Sequence, residues 1–407
     1  MKSNLSTDLV NQLKKYEAEV EVELANLTTW WMKYLPNDAL NSFHGEIDGQ
    51  NNSVPNNPIS LVMITRMLWT FSASYNLNKH KAHLQQADTL FEFITKHFTD
   101  LRHGGFFWSI EQDGKPLVSK KQIYGQAFVI YAFSEYYEAS LKTVALDNAI
   151  ELFDLIEQYS HDSIDGGYIE AFNRDWSEIE DLRLSEKDAN EKKTMNTHLH
   201  IVEAYTRLYK VFPIPNLRLA IEKLLHIFKD KIINPDSFHQ KLFFDEKWNC
   251  KSSIISFGHD IESAWLLFDA AKSIEDNYLI LYFTNTSIQM ASATLSYIDI
   301  DGGLWNELEE GIGILNKEKH WWPQAEAMVG FFNAYELSGQ AKFLDTSLQS
   351  WDYIQSFLID KKYGEWFWGY DEHGNLMQRE KAGFWKCSYH NSRACIEIIK
   401  RVRQFTD

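Results

Sequence analysis

The chain has 407 residues, 44% of them hydrophobic, which is enough apolar material for a large core. A formal net charge of −17 and a pI near 5.3 exclude the basic face that nucleic acid or an anionic membrane would require. Three cysteines, Cys250, Cys387 and Cys395, are too few for a disulfide framework and fit a reducing compartment. The opening stretch MKSNLSTDLVNQLKKYEAEVEVEL has no apolar h-region. No apolar run reaches the roughly 18 residues of a membrane span. The expectation is a cytoplasmic protein, monomeric, with a small molecule as its partner. Aromatic residues reach 14%, and their flat faces with polar edges suit sugar rings as well as ordinary core packing.

Helical periodicity dominates the chain. It predicts helices from Thr7 to Leu35, Ile59 to Asn78, Ala82 to Phe98, Lys121 to Ala139, Ala145 to Tyr159 and Lys192 to Val211. Six more are predicted from Leu217 to Lys229, Phe257 to Ile274, Tyr278 to Ser296, His320 to Leu337, Phe343 to Leu358 and Trp385 to Arg403. Between pairs of helices recurs a segment rich in glycine and aromatics: GGFFWSIEQDGKP, DGGYIEAFNRDW, KLFFDEKWN, IDGGLWNE and YGEWFWGYDEHGN. Alternating aromatics around such turns read as short β-hairpins. The unit is thus helix, helix, hairpin, repeated about six times, as in an open solenoid or a closed (α/α)6 barrel. No linker composition interrupts it, so residues 1–407 are expected to form one all-α domain. The long polar insertion from Asn173 to Lys193 is of a length that is usually functional or disordered.

The first helix of each hairpin, from the second unit on, carries an unusual polar or aromatic residue near its start. These are Arg66, Tyr124, Asn196 with His200, His259 with Glu262, Trp322 with Glu326, and His390, spaced 58 to 72 residues apart. In a closed double ring, alternate helices line the interior, and equivalent positions on them converge on one pocket. The HLH run needs separating. At about 100° per residue, Asn196 and His200 share a face while His198 points away. His198 is therefore expected to pack between helices.

Three chemistries compete for this set. His200/Glu203 and His259/Glu262 have the spacing of di-metal bundles, but the two further bridging glutamates are not both evident. Glu262 reads better as the group that holds the His259 ring, and no metal is expected. Asp260, Glu262, Glu307 and Glu326 could furnish a carboxylate pair for glycoside hydrolysis, which barrels of this type often host. Histidines beside Arg, Tyr and Trp suit proton transfer at carbon, because imidazole serves as base and then acid near neutral pH. Trp322 and Trp385 offer stacking faces for pyranose rings, or core packing.

FHGEID, RMLWTFSASY, IYGQAFVIYAFSEYY, DGGYIEAFNRDW, MNTHLH, FGHDIESAWLL, GGLWNE, WWPQAEAMVGF and FWKCSYHNSRACIE together resemble the cellobiose 2-epimerases of the N-acylglucosamine 2-epimerase superfamily. The resemblance covers nearly the whole chain. It implies an (α/α)6 barrel and cofactor-free epimerisation at C2 of the reducing-end glucose of a β-1,4 disaccharide, through a cis-enediolate. On that resemblance His259 and His390 are the acid/base pair. His200 and Arg66 act at the O1 and O2 oxygens. Tyr124, Asn196 and Glu262 orient groups, and Trp322 and Trp385 stack on the sugar. A mannose 2-epimerase or aldose–ketose isomerase acting on monosaccharides shares much of this set and is the alternative.

Overall fold

The computed structural model describes residues 6–406, so the first residues of the stretch read for a leader lie outside the described residues. Its helices, in chain order, are α1 (Thr7–Tyr34), α2 (Leu61–Asn78), α3 (Lys81–His97), α4 (Ile123–Ser140), α5 (Thr143–Tyr159), α6 (Met195–Val211), α7 (Pro215–Ile227), α8 (Phe257–Ser273), α9 (Asn277–Leu295), α10 (Trp321–Ser338), α11 (Ala341–Tyr353) and α12 (Tyr389–Thr406). The even-numbered helices close a ring: α2 packs on α4, α4 on α6, α6 on α8, α8 on α10, α10 on α12, and α12 on α2. The odd-numbered helices form the outer layer, with α3 on α2, α5 on α4, α7 on α6, α9 on α8, α11 on α10 and α1 on α12. This is the expected (α/α)6 barrel. Among the described residues, no helix is long and apolar enough to cross a membrane.

The patterning of each helix decides its layer. α2 and α4 are buried almost all round, which only a helix surrounded by others can be. α3 and α5 instead bury one stripe, Ala87–Leu90–Phe91–Ile94 and Ala145–Ala149–Leu152–Phe153–Ile156, and leave the rest to solvent.

Every inner helix but α8 begins later than periodicity predicts. Ile59–Ser60, Lys121–Gln122, Lys193–Thr194 and Lys319–His320 are short strands, not first turns. Each pairs antiparallel with an aromatic segment further along: Ser109–Ile110, Ala171–Phe172, Phe243–Phe244 and Gly369–Tyr370. The expected hairpins are therefore ladders that also join one unit to the next. The start of α2 and α6 is set by caps, where the Ser60 and Thr194 hydroxyls accept from the Met63 and Thr197 N–H groups. At the end of the chain, α12 starts at Tyr389 rather than Trp385, so Trp385 stands in the approach segment.

Ion pairs of buried lysines fix the same junctions. Lys121, Lys193 and Lys319 each sit two residues before an inner helix and reach Asp100 (3.0 Å), Asp162 (2.7 Å) and Asp299 (2.7 Å) in the preceding turn. Lys381 holds Asp360 in the same way. The fourth unit has Ile255 at the lysine position. There the lock is Asp260, which accepts from His239 Nδ1 and from the Gln240 N–H. Asp260 thus serves the scaffold, and the hydrolytic reading loses one of its four carboxylates.

Candidate active site

The N-terminal ends of the inner helices converge on a cleft of about 500 Å3. Arg66, Tyr124, Asn196, His200, His259, Glu262, Trp322, Trp385 and His390 all line it, so every expected site residue is brought together. The register is regular. Tyr124, Asn196, Trp322 and His390 are each the second residue of their helix, and Arg66, His200, Glu262 and Glu326 the sixth. Residues four apart in a helix share a face, which places both sets toward the axis. The helix N-termini that converge here also carry partial positive charge.

Three imidazoles are held in one fashion. Nδ1 of His200 bonds Glu203 Oε2 (2.9 Å), Nδ1 of His390 bonds Glu326 Oε1 (2.7 Å), and Nδ1 of His259 bonds the Ser256 hydroxyl (2.8 Å). No protein group among the described residues bonds their Nε2 atoms, which are left for the cleft. The expectation that Glu262 holds His259 is corrected: Glu262 Oε1 instead accepts from Arg393 Nη2 (2.5 Å). The reason is positional, since Ser256 at the helix cap lies within reach of His259 and Arg393 commands Glu262 from the axis. Burial pushes the His259 imidazole down to about 4, with Glu262 opposing, and pushes His390 well below the ordinary value.

His198 does what its helical phase predicts. It is fully buried, donates from Nδ1 to Thr194 O (2.6 Å), and accepts the Tyr168 N–H at Nε2 (2.9 Å). Gly167, at φ +82°, leaves the room: a Cβ there would stand 2.7 Å from that Nε2. His198→Ala should cost about 1–3 kcal/mol by orphaning the Tyr168 N–H, measured by urea unfolding, with turnover unchanged.

Arg66 is a buried cation of the cleft with no carboxylate partner among the described residues. It lies among the rings of Tyr124, Phe128 and Tyr389, at 5.6, 4.2 and 4.8 Å from their centroids. Its Nη2 donates to the Tyr124 hydroxyl (2.6 Å). Trp322 lies beside both His259 and His390, with ring centroids 4.7 and 5.6 Å away. Gly258 permits this, because a Cβ there would stand 2.5 Å from the Trp322 ring. Gly258→Ala should therefore displace Trp322 and lower kcat/KM about tenfold or more, since small misplacements at a reacting centre are costly. Steady-state kinetics with circular dichroism as the folding control checks it.

Below the cleft lies a buried cluster that sequence reading did not assemble. Arg393 bonds Glu262 (2.5 Å), Glu326 (2.6 Å), Glu203 and the Tyr389 hydroxyl. Burial raises Glu326, with Arg393 opposing. Burial opposes ionisation of Glu203 too, yet Arg393 and His200 bring it down to about 2. Glu262, Glu326 and His390 offer ligand atoms within 4.8 Å of one another. The Arg393 guanidinium already bonds both carboxylates, so these donors are committed to a fixed cation and do not fit a metal. The same bonds take Glu262 and Glu326 out of the hydrolytic reading. Arg393 stands one helical turn after His390, and that HNSR spacing was the available signal.

The long insertion contributes as well. Leu184 to Asp188 form part of the cleft wall, facing Trp368 and Arg379. The loop is fixed by Leu182, whose N–H donates to Asn190 and whose carbonyl accepts from Gln122.

The chain matches the N-acylglucosamine 2-epimerase (GlcNAc 2-epimerase) family over residues 42–394. The chain belongs to that family. Among curated relatives, the cellobiose 2-epimerase of Bacteroides fragilis is 39% identical over 391 residues, covering 96% of this chain and 100% of the relative. That of Dictyoglomus turgidum is 40% identical over 86% of this chain and 89% of its own. The solved cellobiose 2-epimerase from Spirochaeta thermophila superposes with a TM-score of 0.91 at 37% identity, over 99% of this chain and 100% of that one. A D-mannose isomerase, 19% identical with a TM-score of 0.83, shares the fold. As a member of the N-acylglucosamine 2-epimerase family, the chain is a sugar epimerase or isomerase.

Proposed function

We propose that this enzyme epimerises the reducing-end glucose of β-1,4 disaccharides at C2, converting cellobiose to glucosyl-mannose and lactose to epilactose. The observation that carries the reading is the trio of imidazoles with Nδ1 anchored and Nε2 free, around an arginine with no carboxylate partner. It is the family's relatives that point to the disaccharide.

The chemistry starts with ring opening, which exposes the C1 aldehyde. His259, neutral because burial holds it near 4, takes the C2 proton on Nε2. The electron pair of the broken C–H bond becomes the C1–C2 double bond, and the carbonyl electrons move to O1. Arg66, the Tyr124 hydroxyl and His200 meet the enediolate oxygens, together with the positive helix ends. Rotation about C2–C3 offers the opposite face. His390 then gives its Nε2 proton to C2 while the proton shared with Glu326 passes to Nδ1, so the ring stays neutral and Glu326 is left ionised. That proton has a store. Glu203, Glu262 and Glu326 all pair with the one guanidinium of Arg393, so the buried carboxylates outnumber the cation they share. We assign the proton that offsets this excess to the His390–Glu326 pair, where burial raises Glu326. In the reverse direction the two histidines exchange roles. Asn196 orients substrate hydroxyls, and Trp322 and Trp385 stack on the sugar.

The test is incubation with cellobiose, lactose and mannose separately in heavy water containing EDTA, read by NMR. The expected result is epimerised disaccharide carrying deuterium at C2. Turnover of mannose alone would move the enzyme to monosaccharides, and loss of activity in EDTA would overturn the metal-free mechanism. The pH profile should show kcat/KM sustained well below neutrality and lost as pH falls toward about 4, where His259 protonates and cannot act as base. Arg66→Lys should lower kcat by roughly 10²- to 10³-fold, because a compact ammonium cannot reproduce the planar fork at the enediolate. The enzyme is further proposed to be a monomer of a reducing compartment, consistent with three free cysteines, and light scattering tests the first part.

A further inference from the structure

Arg66 and His200, which in the proposed mechanism meet the enediolate oxygens, come from α2 and α6 and are supported differently. His200 has Glu203 behind Nδ1, whereas Arg66 has one hydrogen bond, to Tyr124, and aromatic faces. One side chain meets both arrangements. Tyr389, the first residue of α12, is fully buried and stands outside the wall of the cleft.

The face of its ring lies against two guanidiniums. Arg66 Cζ is 4.8 Å from the ring centroid and Arg393 Cζ is 4.3 Å from it. Three carboxylates already hold Arg393, so the ring adds little there. Arg66 has no such partner among the described residues. The negative face of Tyr389, with that of Phe128 at 4.2 Å, stands where a counter-ion would. A carboxylate in that place would neutralise the charge that the enediolate needs. A ring holds the guanidinium and leaves its charge free.

The hydroxyl of Tyr389 serves the other group. It donates to Glu203 Oε1 (2.5 Å) and accepts from Arg393. Arg393 bonds the same Oε1, so that oxygen is fixed from two sides and Oε2 is left to His200 Nδ1. Burial holds the phenol well above its ordinary value, which keeps the hydroxyl a donor.

We propose that Tyr389 is a positioning residue for the oxygen side of the reaction: the face of its ring sets Arg66, and its hydroxyl sets His200 through Glu203. The assignment rests on the epimerase reading of the cleft. Its rival is a purely structural role, since Tyr389 precedes His390 in the chain and their ring centroids are 4.8 Å apart.

Tyr389→Phe deletes the hydroxyl and keeps the ring. In heavy water, recovered substrate reports exchange at C2 and product reports conversion. Groups that stabilise the enediolate serve both, so both should fall by the same factor, roughly tenfold for a lost hydrogen bond to a charged group, with KM changed less than about twofold. A residue that only placed His390 would behave otherwise: conversion would fall while His259 went on exchanging the epimer it deprotonates. The ring is tested by replacing Tyr389 with phenylalanines bearing one, two and three fluorines, which drain charge from the ring face at nearly constant shape. Relative to Tyr389→Phe, kcat should fall stepwise, by roughly tenfold at three fluorines. All these side chains keep the ring in the core, and circular dichroism verifies the fold. Wild-type kcat in Tyr389→Phe, a flat fluorine series, or conversion lost with exchange retained would each overturn the assignment. Failure of the epimerase reading shows separately, in the unsubstituted protein, as neither conversion nor exchange of any of the sugars.

Discussion

His390→Asn should abolish epimerisation while leaving one half of the reaction intact. The amide keeps most of the volume and one hydrogen bond to Glu326, so the barrel should remain folded, as circular dichroism would verify. Net turnover should fall by about 10²- to 10⁴-fold, the span associated with a positioned general acid or base. In heavy water, however, His259 can still remove the C2 proton from its own face and return a deuteron to the same face. One epimer should therefore exchange its C2 hydrogen without being converted. His259→Asn should show the mirror pattern, exchanging only the other epimer through His390. A one-base enzyme would behave differently: one variant would lose both exchanges, and the other would retain both. Either variant retaining epimerisation while folded would remove that histidine from the mechanism.

The complementary pattern follows from how the two rings are held. His390 has a carboxylate behind Nδ1 and His259 a serine hydroxyl. A carboxylate stabilises the imidazolium and a hydroxyl does so much less. In the proposed mechanism the proton-storing partner and the neutral partner are thereby distinguished by their second neighbours, although both rings are driven toward neutrality by burial. Trp322 stands against both rings, and Arg66, bonded to the Tyr124 hydroxyl, lines the same cleft.

Much of this was legible in the sequence because the repeat is. Tyr124, Asn196, Trp322 and His390 stand out at matched positions, and a closed ring converts matched positions into one cleft. Helical phase sufficed to separate His200 from His198. What periodicity could not reveal were contacts between distant segments. Arg393 reads as an ordinary basic residue of the last helix until Glu203, Glu262 and Glu326 arrive from three others. Ser256 carries no catalytic signal and wins His259 from Glu262 only through local cap geometry. The first residues of the inner helices likewise have helical periodicity, but ladder pairing with aromatic segments about 50 residues along claims them as strands, a tertiary override of local preference.

The same cluster gives the largest stability effect. Arg393→Met should destabilise the barrel by about 3–5 kcal/mol at pH 7, the range for removing one member of a buried ionic network. Three carboxylates would then share a site with no countercharge beneath the cleft. The pH dependence has a definite sign. With Arg393 present, Glu203 is held near 2, so it stays ionised and paired across the neutral range. Without it, all three carboxylates rise, and a protonated carboxyl needs no countercharge. The deficit of the variant relative to wild type should therefore shrink as pH is lowered from 7 toward 5, measured by urea unfolding at each pH. Glu326→Gln added to Arg393→Met should recover part of the lost stability at pH 7 by deleting one of the orphaned charges, yet it should not recover turnover, since His390 loses its proton-sharing partner. An Arg393→Met protein as stable as wild type at pH 7 would show that the cluster keeps its own charge balance without the guanidinium, and the single stored proton assigned to His390 and Glu326 would fall with it.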